Sequence, residues 1–135
     1  MTQFRFSVAL SMALAFVVPV FQAQAEEACD TPVDMVIISI VHDVERYEAY
    51  RSSLTELGTI EVFGGRVTSV GTRLVAEPEM FEGEWPENRH AFVIRWPCAG
   101  AAHAFWQSDT YQTESLPLRV GAGTYDIALF PAIPD

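Results

Sequence analysis

An α+β fold is the prediction for this chain, and three observations carry it. The stretches Val33–Val41 (VDMVIISIV) and 90–96 (HAFVIRW) are rich in branched and aromatic residues and apolar on both faces, as central strands are. Tyr47, Tyr50, Leu54 and Leu57 recur at steps of three, four and three, the stripe of an amphipathic helix. Clusters of glycine, proline and acids separate these patterns without a linker, a repeat or a low-complexity segment, so residues 26–135 read as one domain.

Residues 1–25 carry Arg5, an apolar run over 8–18 and Ala23-Gln24-Ala25 before an acidic stretch. This is the basic, apolar, small-x-small order of a cleaved secretory signal peptide. A membrane anchor is the alternative, but Pro19 follows an apolar run shorter than the ~20 residues a spanning helix needs. Glu26-Glu27-Ala28 before Cys29 lacks the aliphatic residue of a lipidation site. The expected product is an exported, soluble protein, periplasmic or secreted, with no membrane attachment in its mature form.

Loss of Arg5 would take Lys+Arg from 8 to 7 against 18 acidic residues, a mature charge of −11. So acidic a surface repels phosphate backbones and anionic lipid, which argues against nucleic-acid and membrane-surface binding. Both cysteines, Cys29 and Cys98, fall in the mature part. Two cysteines in an exported chain usually pair, and without a Cys-x-x-Cys they suit a structural disulfide better than a metal or redox site.

In chain order, the first strand, Val33–Val41, is followed by Asp43 as N-cap and a helix over 44–57, extending toward Val62 unless Gly58 interrupts it. Phe63-Gly64-Gly65 ends that region, the glycines permitting positive φ. A half-exposed strand over 66–75 alternates branched and polar residues. EPEMFEGEWPENR, 77–89, is a long turn region. The strand over 90–96 turns at Pro97-Cys98-Ala99-Gly100 into a short helix bearing Ala101, Phe105 and Trp106, with Ser108 or Asp109 able to cap the next turn. A helical segment over 108–120, limited by Pro117, leads through Gly121-Ala122-Gly123 into the last strand, 124–130.

The resulting order, β-α-β-β-α-β, is the ferredoxin-like split βαβ: a four-stranded antiparallel sheet with helices on one face. Its first and third strands are antiparallel central neighbours. That puts Cys29, before the first, at the same end of the sheet as Cys98, after the third. The uncovered face would be an apolar patch unless a second copy covers it, so a homodimer is expected, with Ile37, Val41 and Val93 facing the partner sheet.

Over residues 47–130 the chain resembles the DUF1330 family. The matching pieces are YEAY (47–50), FGGRV (63–67), EGEWPENR (82–89), FVIRWP (92–97), AAHAFWQSDTYQ (101–112) and LPLR (116–119). The resemblance implies a dimeric α+β barrel, two ferredoxin-like units pairing sheet against sheet, and no established activity. The export signal and both cysteines depart from the short intracellular proteins common in that family.

Polar residues within apolar strands are the candidate site. Ser39, Arg95 and Asp126, if their parities align, face the barrel interior, where a guanidinium beside a carboxylate could hold a small acid or steady an enolate. The bland alternative is an Arg95–Asp126 ion pair at a sheet edge or dimer seam. His42, beside Asp43, could be a general base or an exposed loop residue. His90 and His103 read as surface residues. No histidine pair has metal-ligand spacing, so no metal site is expected. Trp85, Trp96, Phe105, Trp106 and Tyr111 suit a core, but Tyr47 and Tyr111 carry hydroxyls that could face a cavity. No Gly-x-Gly-x-x-Gly, P-loop or Gly-x-Ser-x-Gly appears.

Three functions are expected from these residues. The first is binding of a small organic molecule between sheet and helices, with Tyr47, Ser39, Arg95, Tyr111 and Asp126 as its ligand-binding residues. The second is a cofactor-independent oxygenase or isomerase with His42 as base and Arg95 as oxyanion partner. The third is a non-catalytic structural or interaction role. None of them calls for a cofactor.

Overall fold

The structure, a computed structural model, describes residues 29–133, so the expected signal segment lies outside the described residues. Four strands form one antiparallel sheet: β1 (Val33–Val41), β2 (Arg66–Gly71), β3 (Arg89–Trp96) and β4 (Gly123–Pro131), in the order β2-β3-β1-β4. Helices α1 (Val44–Glu56), α2 (Thr59–Val62), α3 (Ala99–Gln107) and α4 (Leu116–Arg119) supply the helical layer, a π-helical turn at Tyr111–Ser115 leading into α4. This is the α+β, ferredoxin-like arrangement that the element order predicts.

Register decides which side chains meet. On β1 the odd-numbered residues Val33, Met35, Ile37 and Ser39 stand beside Trp96, Ile94, Phe92 and His90 of β3. On the other side they stand beside Pro131, Leu129, Ile127 and Tyr125 of β4. This is the face beneath the helices: Met35, Ile94 and Trp96 bury with Ile60, Ala102, Phe105 and Tyr111 in the main core. Phe105 is the hub, its ring centroid 4.9 Å from Trp96 and 4.7 Å from Tyr111. The even-numbered residues Asp34, Val36, Ile38 and Ile40 turn the other way, with Arg95, Val93, Ala91 and Arg89 of β3. Ile37 and Val41, expected on the uncovered face, therefore lie under the helices; Val93 does lie on the open side.

Several boundaries differ from the sequence reading. Asp43 caps α1 as expected, its Oδ1 accepting from the Arg46 amide at 3.0 Å. The helix stops at Glu56, because Gly58 takes φ +57 and restarts the chain as the short α2. Gly65 presses on the core: a Cβ there would lie 2.6 Å from the Trp96 ring and 2.7 Å from Ile60. β2 ends at Gly71 rather than continuing to 75, and a register shift between Val67 and Ser69 interrupts its ladder. That bulge sets Val67 opposite Ile94 and Val70 opposite Phe92, so both valines face the helices, three residues apart. After α3, Ser108 donates to the Phe105 carbonyl at 2.8 Å and accepts from the Tyr111 amide at 3.2 Å. Cys29 and Cys98 are joined, Cα atoms 5.0 Å apart, tying the lead-in of β1 to the start of α3.

Candidate functional site

Between the sheet and α1 lies a cavity of about 210 Å³. Its floor is Ile37, Ser39, Phe92, Ile94 and Tyr125, with Val67 and Val70 at one side. Its roof is Tyr47, Tyr50, Arg51, Leu54 and Thr55 of α1, with Ile60 of α2. The 47–50–54 stripe that predicts an amphipathic helix thus serves two purposes, core packing and the cavity roof.

The polar atoms here are few and aligned. Ser39 is the cross-strand partner of both His90 and Tyr125, so His90, Ser39 and Tyr125 form a row across β3, β1 and β4 on the helix side. Neighbouring Cβ atoms in such a row are about 4.5–5.5 Å apart. Ser39 Oγ and Tyr125 OH are both buried and without a hydrogen-bond partner among the described residues. A buried hydroxyl left unpaired costs about 1–3 kcal/mol, and both belong to residues that line this cavity. Thr59 Oγ1 and Trp96 Nε1 are also unpartnered, but neither lines this cavity.

His90 Nδ1 and Tyr47 OH are 3.0 Å apart, with the rings edge to face. Both side chains also line a second cleft of about 400 Å³, whose other walls include Arg73, Glu77, Glu87 and Asn88. Burial lowers the proton affinity of His90, and the Arg51 charge lowers it further, partly offset by Glu48. Burial likewise raises the Tyr47 and Tyr50 hydroxyls well above the ordinary phenol range. The Tyr125 hydroxyl is pushed up to about 12, chiefly by burial and secondarily by Tyr50. All are therefore neutral near pH 7, hydrogen-bonding groups rather than charges.

A second polar chain backs the roof. Arg119 donates to Tyr111 OH at 3.0 Å, and that oxygen lies 3.4 Å from Tyr50 OH. The Arg119 guanidinium also sits over the rings of Trp106, at 5.2 Å, and Tyr125, at 5.1 Å. It holds the Tyr125 ring by cation–π contact.

Of the sequence candidates, Ser39 and Tyr47 line the cavity. Tyr111 is buried just behind it, linked to its lining through Tyr50 and through Arg119 to Tyr125. Arg95 and Asp126 stand on the opposite face of the sheet from Ser39, because odd and even positions of β1 part at the sheet plane. Nor do they pair with each other: Arg95 is opposite Asp34, whereas Asp126 is opposite Ile38, four residues further along. Arg95 instead makes a bidentate contact to Asp34, Nε to Oδ1 at 3.0 Å and Nη2 to Oδ2 at 3.1 Å. That hydrogen bonding holds the Asp34 carboxyl below the usual carboxylate range. His42 is exposed in the turn after β1 and lines neither cavity. His90, expected at the surface, is 4 % exposed. His90 and Tyr125 are the residues that the sequence reading missed. The one available signal was parity, since both fall opposite Ser39 once the register is known.

A family model described as a domain of unknown function, DUF1330, matches residues 35–133. None of the curated proteins matches the chain. Among solved structures, a protein of unknown function from Rhodopseudomonas palustris is 19% identical, with 78% of this chain and 85% of that chain covered and a TM-score of 0.62. SnoaB, a cofactor-independent oxygenase from Streptomyces nogalater, is 15% identical, with 78% and 96% covered and a TM-score of 0.53. A putative antibiotic biosynthesis monooxygenase from Bacteroides thetaiotaomicron is 16% identical, with 78% and 91% covered and a TM-score of 0.50. At these identities the likeness is one of fold.

Proposed function

We propose, for a chain that belongs to the DUF1330 family, that it binds a small organic molecule in the cavity between the sheet and α1. The observation that carries this reading is the cavity itself, walled by Ile37, Leu54, Ile60, Phe92 and Ile94 and edged by Tyr47, Tyr50 and Arg51. The volume lies below the roughly 300–1,000 Å³ of drug-sized sites, and a cavity of about 150 Å³ can hold benzene, so the ligand is of one or two rings. Aliphatic and aromatic walls select an apolar body, and Arg51 with the two α1 tyrosines offers it polar partners.

The protein acts, in this reading, as an exported homodimer. Val36, Ile38, Ala91 and Val93 make the open face of the two central strands apolar, flanked by the Asp34–Arg95 pair. An antiparallel sheet tolerates one solvated face when that face is polar; this one is not, and a second copy supplies a matching cover. Export is supported by the Cys29–Cys98 disulfide, which suits an oxidising compartment. Among the described residues no helix is long and apolar enough to cross a membrane.

Native mass spectrometry of protein isolated from the exported compartment tests both points. A dimer carrying additional small-molecule mass is the expected result, and Val67→Trp, which fills the cavity from the edge strand, should strip that mass. A ligand retained by that variant, or removed by Arg95→Ala alone, would place binding elsewhere.

A further inference from the structure

We propose that the small molecule held between the sheet and α1 is an organic acid: Arg51 takes its carboxylate at the rim of the cavity, and the apolar walls take its ring. The inference rests on the reading of this cavity as a small-molecule site and names the class of ligand that the site selects.

Charge singles out Arg51. Among the described residues that line the cavity it alone is formally charged; the others are aliphatic, aromatic or hydroxyl-bearing. The chain carries 8 basic against 18 acidic residues, so a cation beside an apolar cavity is not part of a generally basic surface. Other arginines are engaged elsewhere. Arg46, Arg73 and Arg89 donate to backbone carbonyls, Arg119 to a tyrosine hydroxyl, and Arg95 to Asp34 on the other face of the sheet.

Helical spacing delivers Arg51 to the site. Tyr47, Arg51 and Leu54 recur at steps of four and three on α1, so the face that roofs the cavity carries the guanidinium with it. Its central carbon lies 5.9 Å from the centroid of the buried Tyr47 ring, within cation–π range. The charge also reaches inward. Burial raises the Tyr47 hydroxyl and Arg51 opposes it, whereas at His90 burial and then Arg51 both lower proton affinity.

Hydrogen bonding leaves one edge of the guanidinium for a ligand. Nη1 donates to Glu48 Oε1 at 3.3 Å and Oε2 at 3.4 Å, one nitrogen shared between two oxygens rather than two parallel bonds. Both side chains are well exposed, 37% and 45%, and such a pair is weak. Among the described residues no acceptor meets Nε or Nη2 of Arg51. These two nitrogens form the edge by which Arg95 grips the Asp34 carboxylate, at 3.0 and 3.1 Å, and a ligand carboxylate fits it in the same way. Ile37, Phe92 and Ile94 below and Leu54 above then enclose the body, and about 210 Å³ holds one ring with a short substituent.

Benzoate, benzamide and benzamidine share one shape and are negative, neutral and positive. Calorimetry on the mature, disulfide-bonded protein should rank them in that order, benzoate about tenfold tighter than benzamide. The preference should shrink as salt is raised, because the rim is exposed. Arg51→Met, which keeps an apolar stem, should bring benzoate and benzamide to equal affinity, and Arg51→Lys should restore part of the preference. Benzamide matching benzoate on the parent protein, or a preference that survives Arg51→Met, overturns the acid and leaves the cavity reading standing. Benzamidine binding tightest would make Glu48 the anchor and overturns it too. If none of the three binds while native mass spectrometry finds a neutral ligand that Val67→Trp removes, the ligand class is wrong. If none binds and no ligand is found, the cavity reading fails and the inference falls with it.

Discussion

Ser39 and Tyr125 form a cross-strand pair that the fold holds at a cost. Each hydroxyl is buried without a partner among the described residues, so each destabilises the ligand-free fold by the cost of lost hydration. Ser39→Ala removes that cost with almost no change of shape. It should therefore raise the urea midpoint of the free protein, by about 1 kcal/mol of stability. A variant that is less stable without ligand would mean that the hydroxyl has a partner in solution. His90 makes the opposite kind of commitment. Its folded-state proton affinity is lowered, first by burial and then by Arg51, so protons favour the unfolded chain. The stability His90 contributes is complete above its ordinary value of about 6.5 and is lost as pH falls from there toward the lower folded value. Between pH 7 and 5, His90→Gln should show a flatter urea midpoint than the parent.

Elements place these residues by constraints that are local. The β2 bulge turns both Val67 and Val70 toward the cavity, and Gly58 breaks the helical run so that Ile60 drops onto the core. Gly65 is the tightest of these constraints, because the ring of Trp96 is fully buried and has nowhere to move. Gly65→Ala should cost about 1–3 kcal/mol by overpacking, seen as a lower thermal midpoint. An unchanged midpoint would show that the β2 lead-in can shift away from Trp96. The capped start of α1 and the strand runs of β1 and β3 were legible in the sequence, since caps and apolar runs are written in neighbouring residues. The end of β2 was not, because it depends on pairing: β3 runs on to Arg89, whose carbonyl accepts from Trp85 Nε1.

The whole molecule is held by one covalent tie and, in the dimer reading, by one sheet face. The disulfide closes a loop with a sequence separation of 69. Chain entropy for a loop of that size is worth about 4 kcal/mol, so full reduction should lower the denaturant midpoint substantially and cooperatively. A midpoint indifferent to reductant would mean that the closed loop is already constrained in the unfolded chain. The open face predicts its own disruption. Val93→Asp places a charge between Val36 and Ser69 at the centre of that face, and light scattering should then report a monomer that keeps its helical and sheet signature. A dimer that survives the substitution would mean the copies associate through another surface.

Composition, apolar runs and turn residues by themselves determined the element order, the α+β class, the Asp43 cap and the pairing of Cys29 with Cys98. These depend on contacts close in sequence or on topology that comes from order alone. The site was decided only in the tertiary structure. Because the central strands are apolar on both faces, sequence alternation did not say which parity faces the helices, and a one-residue choice sends Ser39 to one side and Arg95 to the other. The same choice buries His90 against Tyr47 and sets Tyr125 beside Ser39, residues far apart along the chain that meet only because antiparallel register brings them into one row.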